Sequence, residues 1–330
     1  MATYNRSQVL RCAIESVRLQ TLEDWEAWIV GDACTDDTEQ VVRAFDDPRL
    51  HYLNLPVNSG DQSGPNNEGV RQSRGQFLAY LNHDDLWFPD HLESGIRALN
   101  DTGADLVSPL VVKLRSDGVF TCNDLSSDRR YAPHLSVPAS FWVLRRELAD
   151  QIGTWRHHSA CHATPSQEWL FRAFRAGKDL RFTSNVTAIA LPSGGRPGVY
   201  ATQEFIENQR VLDRIRNEPG YREQVLLSIA EQYAMLQSSP PAWPAIENTA
   251  RDIVMRLLTI YWKKWPKARN HTYPATVALR KRMRRVLGAL RLHPEAVGLF
   301  LKYRRRGGFV RFLRQFRGLP AIPGDSGADD

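Results

Sequence analysis

Two periodicities alternate along the first part of the chain, one of about 3.6 residues and one of short apolar runs closed by turn residues. Val9, Leu10, Ala13, Ile14 and Val17 repeat at helical spacing, with Ser7 in position to cap the helix. Trp25 to Val30 (WEAWIV) reads as a strand and runs into the polar turn GDACTDDT, which Val41, Val42 and Phe45 follow as a second helix. Arg49 to Leu53 is a short third strand, and Asn58 to Gly69 (NSGDQSGPNNEG) reads as a Gly/Asn/Ser-rich loop. A helix then leads to Gln76–Leu81, the most strand-like run in the sequence, and a further helix begins near Pro89 and Asp90. Strands alternating with helices predict an α/β fold with a doubly wound, mostly parallel sheet.

Beyond Gln203 the pattern becomes helical. Phe205 to Leu236 has helical spacing, Ser238 to Pro244 (SSPPAWP) is a linker, and Asn248–Trp265, Arg280–Leu292 and Phe309–Phe316 read as further helices. In the last of these, Phe309, Val310, Phe312, Leu313 and Phe316 share a side, with Arg311, Arg314 and Arg317 among them. Charge sharpens the division: between Arg251 and Arg317 there are 19 Lys and Arg against the two acids Asp252 and Glu295, while the whole chain carries only +6. The body that precedes this region is therefore acidic. A basic amphipathic helix with aromatic anchors fits three partners: an anionic membrane surface, the body of the protein itself, or nucleic acid. No recognised nucleic-acid motif accompanies the charge, so nucleic acid is not expected.

The composition, 42% hydrophobic and 24% charged, is that of a soluble globular protein. No apolar run is long enough to span a bilayer, and MATYNRSQVL lacks the core of a secretion signal, so the expected location is the cytoplasm. Cys12, Cys34, Cys122 and Cys161 form no C-x-x-C pair, which points to reduced thiols. His157, His158, Cys161 and His162 crowd together in HHSACH, at a spacing that fits no standard zinc pattern.

The chemistry centres on Asp84 and Asp85, in the loop beyond the carboxyl end of the 76–81 strand, the edge at which open α/β sheets bind ligands. Hard oxygen ligands beside a phosphate suit Mg2+ or Mn2+; the competing reading is a solvated turn or a helix cap. Four stretches, TYNRS, VGDACTDDT, NSG with GPNNEG, and LNHDDLWFP, in this order, resemble the nucleotide-sugar-binding half of family 2 glycosyltransferases of the GT-A fold. Relatives show a TYNR start, a VVDDGSTDDT turn, an N-x-G…N-x-G loop and an L-D-x-DD segment. Four collinear matches over about ninety residues make coincidence implausible.

The resemblance implies a GT-A domain over residues 1–204, with a nucleotide-sugar half to about 110 and an acceptor half from about 111, followed by a helical, basic region over 205–330 whose last dozen residues are disordered. It implies that Thr3, Tyr4 and Asn5 line the nucleotide pocket, that Asp32 hydrogen-bonds the base or ribose, and that Asn67, Asn82 and Asp84 join them. Asp84 with Asp85 would hold Mn2+ or Mg2+; the family's first carboxylate is Asn82 here. Ser140–Trp155 looks like the acceptor-side segment, and Glu168, ahead of Trp169, stands where the family places its general base, although an acid there also suits the start of a helix. Relatives often carry a His after this helix, where LPSGGRPGVY offers Arg196. The implied reaction is inverting transfer from a UDP-, GDP- or dTDP-sugar to a glycan or lipid-linked acceptor in surface polysaccharide or glycolipid assembly, at the cytoplasmic face of the membrane. A catalytically inactive GT-A-like binding module is the alternative. Finally, relatives have an apolar strand ahead of TYNR where only Met1 and Ala2 stand here, so the expectation is either an internal Met1 or a sheet without an inner strand, and greater stability for a chain extended upstream.

Overall fold

A computed structural model describes residues 1–115, 117–122, 128–133, 135–191, 198–202, 204–238 and 307–320. The chain opens on β1 (Ala2–Thr3), α1 (Ser7–Arg18), β2 (Ala27–Gly31), α2 (Thr38–Arg43) and β3 (Leu50–Asn54). These strands form an all-parallel sheet in the order β1-β2-β3. Where the sequence suggested a missing inner strand, a two-residue strand stands at the edge of this sheet: Ala2 and Thr3 pair with Val30 and Gly31, and the Met1 amine donates to the Trp28 carbonyl at 2.7 Å. Helix α1 buries Val9, Leu10, Ala13, Ile14 and Val17, the face its periodicity marked.

Helix α3 (Ser63–Gln72) starts inside the Gly/Asn/Ser-rich stretch read as a loop. The reason is local: Asp61 Oδ1 accepts from Ser63 N at 2.6 Å, and Pro65 falls in the first turn, where a missing N–H is harmless. The chain continues through β4 (Phe77–Ala79), β5 (Leu86–Trp87), α4 (His91–Thr102), β6 (Leu106–Ser108), β7 (Val112–Leu114), β8 (Phe120–Cys122), β9 (Val143–Arg145), α5 (Arg146–Ile152), α6 (Pro165–Arg175), β10 (Leu180–Phe182) and β11 (Ala188–Ala190). Two more sheets result, ordered β10-β6-β9-β4 and β5-β11-β7-β8. They are mixed: β9 runs antiparallel to both β4 and β6, whereas β10 with β6 and β11 with β7 are parallel. Parallel order therefore dominates in the first sheet and not across the whole molecule.

An aromatic cluster joins the two halves. Trp142 is buried with ring centroids 5.9 Å from Tyr80, 5.5 Å from Trp155 and 5.7 Å from Trp169. Trp169 donates its indole N–H to the Gly153 carbonyl at 2.8 Å, which fixes α6 against the end of α5. Next come α7 (Val199–Thr202), α8 (Ile206–Asn217) and α9 (Tyr221–Ser238). The single helical stretch expected over Phe205–Leu236 is broken at Pro219-Gly220, residues that cannot sustain a helix interior. Val211, Leu212, Ile215, Tyr221, Val225 and Ile229 share a core cluster with Cys12, Leu86, Phe88 and Val112.

The last described helix is α10 (Gly308–Phe316). The helices expected at 248–265 and 280–292, most of the 238–244 linker, Arg196 and the acidic tail lie outside the described residues. No described helix is long and apolar enough to cross a membrane.

Candidate active site

The turns after β1 and β2 are built on left-handed backbone. Asn5 (φ 47), Arg6 (φ 75) and Ala33 (φ 61) all adopt it without being glycine, a concentration of strain that is common at ligand sites. Asn5 offsets part of this cost by accepting from Thr35 N at 2.9 Å, which ties the two turns together. The cap expected from the Ser7 side chain is supplied instead by Asp36, whose Oδ2 accepts from Ser7 N at 3.2 Å while its Oδ1 accepts from Thr38 N. The DDT part of the second motif thus caps helices.

Several side chains with expected ligand roles are committed to the scaffold. Asp32, buried, accepts from Ser59 N (2.7 Å), Ser59 Oγ (2.7 Å) and Gly60 N (3.1 Å), so both of its oxygens hold the 58–60 loop. Burial raises its pKa, and these donors oppose the shift. Asn67 is a two-bond pin: Nδ2 donates to the Trp155 carbonyl at 2.9 Å and Oδ1 accepts from Trp155 N at 2.8 Å. The amide expected at the nucleotide sugar is thus engaged by the scaffold through both its nitrogen and its oxygen. Asn82 Nδ2 donates to Asp85 Oδ2 at 3.0 Å, and Asp85 also accepts from Ser140 Oγ at 2.5 Å and Leu191 N at 3.1 Å. Asp85, 4% exposed, is accordingly tied into the scaffold through both oxygens, and burial with the neighbouring Asp84 charge raises its pKa.

Around Asp84 a different set gathers. Asp84 lies 3.9 Å from Arg6 Nη1. Arg6 is 1% exposed, yet its Nε and Nη1 have no hydrogen-bond acceptor. The Tyr200 ring sits 5.3 Å from the Arg6 guanidinium carbon, 6.2 Å from the His83 ring and 6.3 Å from the Tyr4 ring. Burial pushes His83 down to about 4, so it is neutral at pH 7, and its Nε2 lacks a partner, as does Thr3 Oγ1. A desolvated cation ringed by unsatisfied donors is an environment made for an oxyanion. Sequence reasoning placed Thr3, Tyr4 and Asp84 here but passed over Arg6, although it stands inside the TYNRS motif; Tyr200 carried no signal.

Glu168 occupies the first turn of α6, with Thr164 as the side-chain cap and Pro165 opening the helix. Its carboxylate accepts from Arg172 Nε at 3.0 and 3.1 Å and lies 3.2 Å from Arg156 Nη1. Arg172 is held in turn by the Ile152 and Thr154 carbonyls. Glu168 and Asp84 thus sit in separate charge networks, the first on α6 and the second in the loop between β4 and β5.

The histidine-rich loop makes no cluster of His with Cys161. Cys161 Sγ contacts the Arg156 and His157 carbonyls, while His157 and His158 gather at Asp61, the one group of three metal-type side chains among the described residues. Those groups are mutually satisfied: Asp61 Oδ2 pairs with His158 Nδ1 at 2.7 Å, and His157 Nε2 meets the Ser59 carbonyl at 2.8 Å. As a donor set for a divalent cation, the Asp84 region offers one carboxylate, since Asn82 and Asp85 are bonded to each other. That fits a cation held chiefly by substrate phosphates, the usual habit of Mg2+.

A parallel sheet joined to mixed sheets, with helices between the strands, is a GT-A type fold. Among solved structures, Staphylococcus aureus TarS in complex with UDP-GlcNAc aligns with a TM-score of 0.51 at 17% identity over 68% of either chain. Residues 1–153 match the model "Glycosyl transferase family 2", and the chain carries a family 2 glycosyltransferase domain. The succinoglycan biosynthesis protein ExoO of Rhizobium meliloti is 27% identical over 218 residues, covering 64% of this chain and 60% of that protein. The UDP-Glc:alpha-D-GlcNAc-diphosphoundecaprenol beta-1,3-glucosyltransferase WfgD of Escherichia coli is 32% identical over 96 residues, 29% of this chain and 38% of that protein. The chain thus matches between about two fifths and three fifths of the length of these relatives.

Proposed function

We propose that this chain is an inverting glycosyltransferase that moves a sugar from a nucleotide-sugar donor to a hydroxyl acceptor in the assembly of a cell-surface polysaccharide or glycolipid. The observation that carries the reading is the buried, acceptor-poor Arg6 guanidinium beside Asp84, at the carboxyl end of the parallel sheet, in a domain of this family. The donor's sugar and nucleotide would lie between β1, the Asp84 loop and Tyr200. Names printed for the relatives, which include a lipid-diphosphate acceptor, support an acceptor of the lipid-linked class at the cytoplasmic membrane face, reached in part through the basic C-terminal region.

A divalent cation, Mn2+ or Mg2+, would bind through Asp84 together with donor phosphate oxygens and would act as a Lewis acid toward the departing diphosphate. The residues do the rest. Arg6 stabilises negative charge on the leaving group in a water-poor setting. Glu168, with Arg172 fixing the plane of its carboxylate, takes the proton of the acceptor hydroxyl as that oxygen attacks the anomeric carbon, and one displacement inverts the configuration there. A binding module without turnover is the second reading, favoured by the hold of Arg156 and Arg172 on Glu168.

Calorimetry with UDP-, GDP- and dTDP-sugars, with Mn2+ and with EDTA, tests the proposal. One donor should bind at micromolar affinity and lose at least tenfold in Asp84→Ala. Absence of binding by every donor would overturn the donor site and the function with it.

A further inference from the structure

The basic helix α10 does not stand apart from the body: it is seated against Gly60, Cys161 and the 198–200 segment, with a glycine at either end where its backbone comes closest. A Cβ at Gly307 (φ 71) would lie 3.0 Å from His158 Cδ2, and one at Gly318 (φ 78) would lie 3.2 Å from Gly198 Cα. Gly307 N donates to the Cys161 carbonyl at 2.7 Å, Gly198 N to the Phe316 carbonyl at 2.9 Å and Tyr200 N to the Arg317 carbonyl at 3.2 Å. These bonds run from two separate segments of the body to the two ends of the same helix. Of the partners open to a basic amphipathic helix, the body of the protein is the one this segment meets.

Its arginines are delivered to the Asp84 region. Arg314 Nη1 donates to the carbonyl of Gly60, in the loop that Asp32 holds, and Arg314 Nε is buried with no acceptor. Arg317 follows the helix and is bonded through its carbonyl to Tyr200, the ring that packs against Arg6. Burial raises the Tyr200 hydroxyl pKa, and the charges acting on it next are those of Arg317, Asp84, Arg6 and Arg314, so the four occupy one electrostatic neighbourhood. Three guanidiniums and one carboxylate are thus the main charges acting on Tyr200, while Asp32 and Asp85 are each held by three donors of their own and Asp61 by His158. The surplus of positive charge matches the two charges of a nucleoside diphosphate diester, and planar guanidinium forks suit phosphate oxygens.

We infer that the C-terminal helix supplies one wall of the donor site, with Arg314 and Arg317 joining Arg6 to grip the diphosphate. This rests on the donor-site reading above and extends it. The region beyond the family 2 match then belongs to the binding machinery, and diphosphate is held by side chains before any cation is added.

The test uses the full chain and calorimetry in EDTA, with inorganic pyrophosphate, the nucleoside diphosphate that the parent prefers, and its free nucleoside. Arg314→Ala and Arg317→Ala should each weaken pyrophosphate and the nucleoside diphosphate about tenfold, the loss of one charge-assisted contact, and leave the nucleoside unchanged. Arg317→Lys should recover part of the loss. Gly318→Ala, which keeps every arginine and unseats the helix, should weaken the diphosphate as well, with the main unfolding transition retained. Parent-level affinity in both arginine variants, or tighter binding in Gly318→Ala, would refute the wall and leave the donor site standing. A parent that binds neither nucleoside diphosphate nor pyrophosphate would remove both.

Discussion

Asn67→Ala separates a scaffold role from a ligand role. The amide makes two hydrogen bonds to the backbone of Trp155, at 2.9 and 2.8 Å, across 88 residues of chain. Trp155 is 3% exposed, so truncation strands an N–H and a carbonyl that water reaches poorly. Two net hydrogen bonds at about 1 kcal/mol each, with an added penalty for the stranded groups, give a loss of roughly 2–4 kcal/mol. At about 2–4 °C per kcal/mol for a domain of this size, Tm should fall by roughly 4–16 °C. Urea unfolding gives the free energy and calorimetry the donor affinity. A Tm within about 1 °C of the parent combined with a tenfold loss of donor affinity would refute the pin and restore Asn67 as a ligand.

Other outcomes follow from single contacts. Gly95→Ala places a Cβ 2.5 Å from Val143 Cγ2 and 2.8 Å from Val143 Cβ, so α4 must lift from β9; the expected cost is about 1–3 kcal/mol in urea unfolding. His91 is buried neutral, with burial pushing it down to about 3, so the unfolded chain takes up a proton below about pH 6.5 that the folded chain refuses. Stability from this group is therefore full above that pH and is lost as pH falls toward 3. His83 acts the same way, and the raised Asp85 acts in the opposite sense. Between pH 6.5 and 5, His91→Gln should remove about 2 kcal/mol of the acid-induced loss, and an unchanged slope of stability against pH would contradict the assignment. Glu168→Gln should lower turnover by about a hundredfold or more while donor affinity stays within threefold, read from single-turnover kinetics.

Much of the scaffold was legible because burial follows period: the buried face of α1 and the run of β2 are set by residues close in sequence. The start of α3 was hidden by composition, since Asp61, Ser63 and Pro65 look like loop residues until Asp61 caps Ser63 N. The site was legible as a place and less so as a set of atoms. Asp32, Asn67 and Asp85 carry side chains suited to ligands, and whether they reach one depends on what crosses from elsewhere: Ser59, Trp155, Ser140 and Leu191 respectively. Arg6 shows the converse, a cation whose burial no local pattern announces. For α10 an apolar face and a charge were legible, but an amphipathic pattern does not say which surface it covers; the close approach of Gly307 to His158 and of Gly318 to Gly198 does.

The central claim is that Glu168 drives inverting transfer from a donor held beside Asp84. It is tested most directly by following the preferred nucleotide sugar with proton NMR, in the presence of Mn2+ and a mixture of lipid-linked and free glycans, for the parent and Glu168→Gln. The account predicts release of nucleoside diphosphate with a new glycosidic or free-sugar signal of inverted anomeric configuration in the parent, and near silence in the variant. Retained configuration, equal turnover in Glu168→Gln, or tight donor binding with no turnover in any mixture would contradict it.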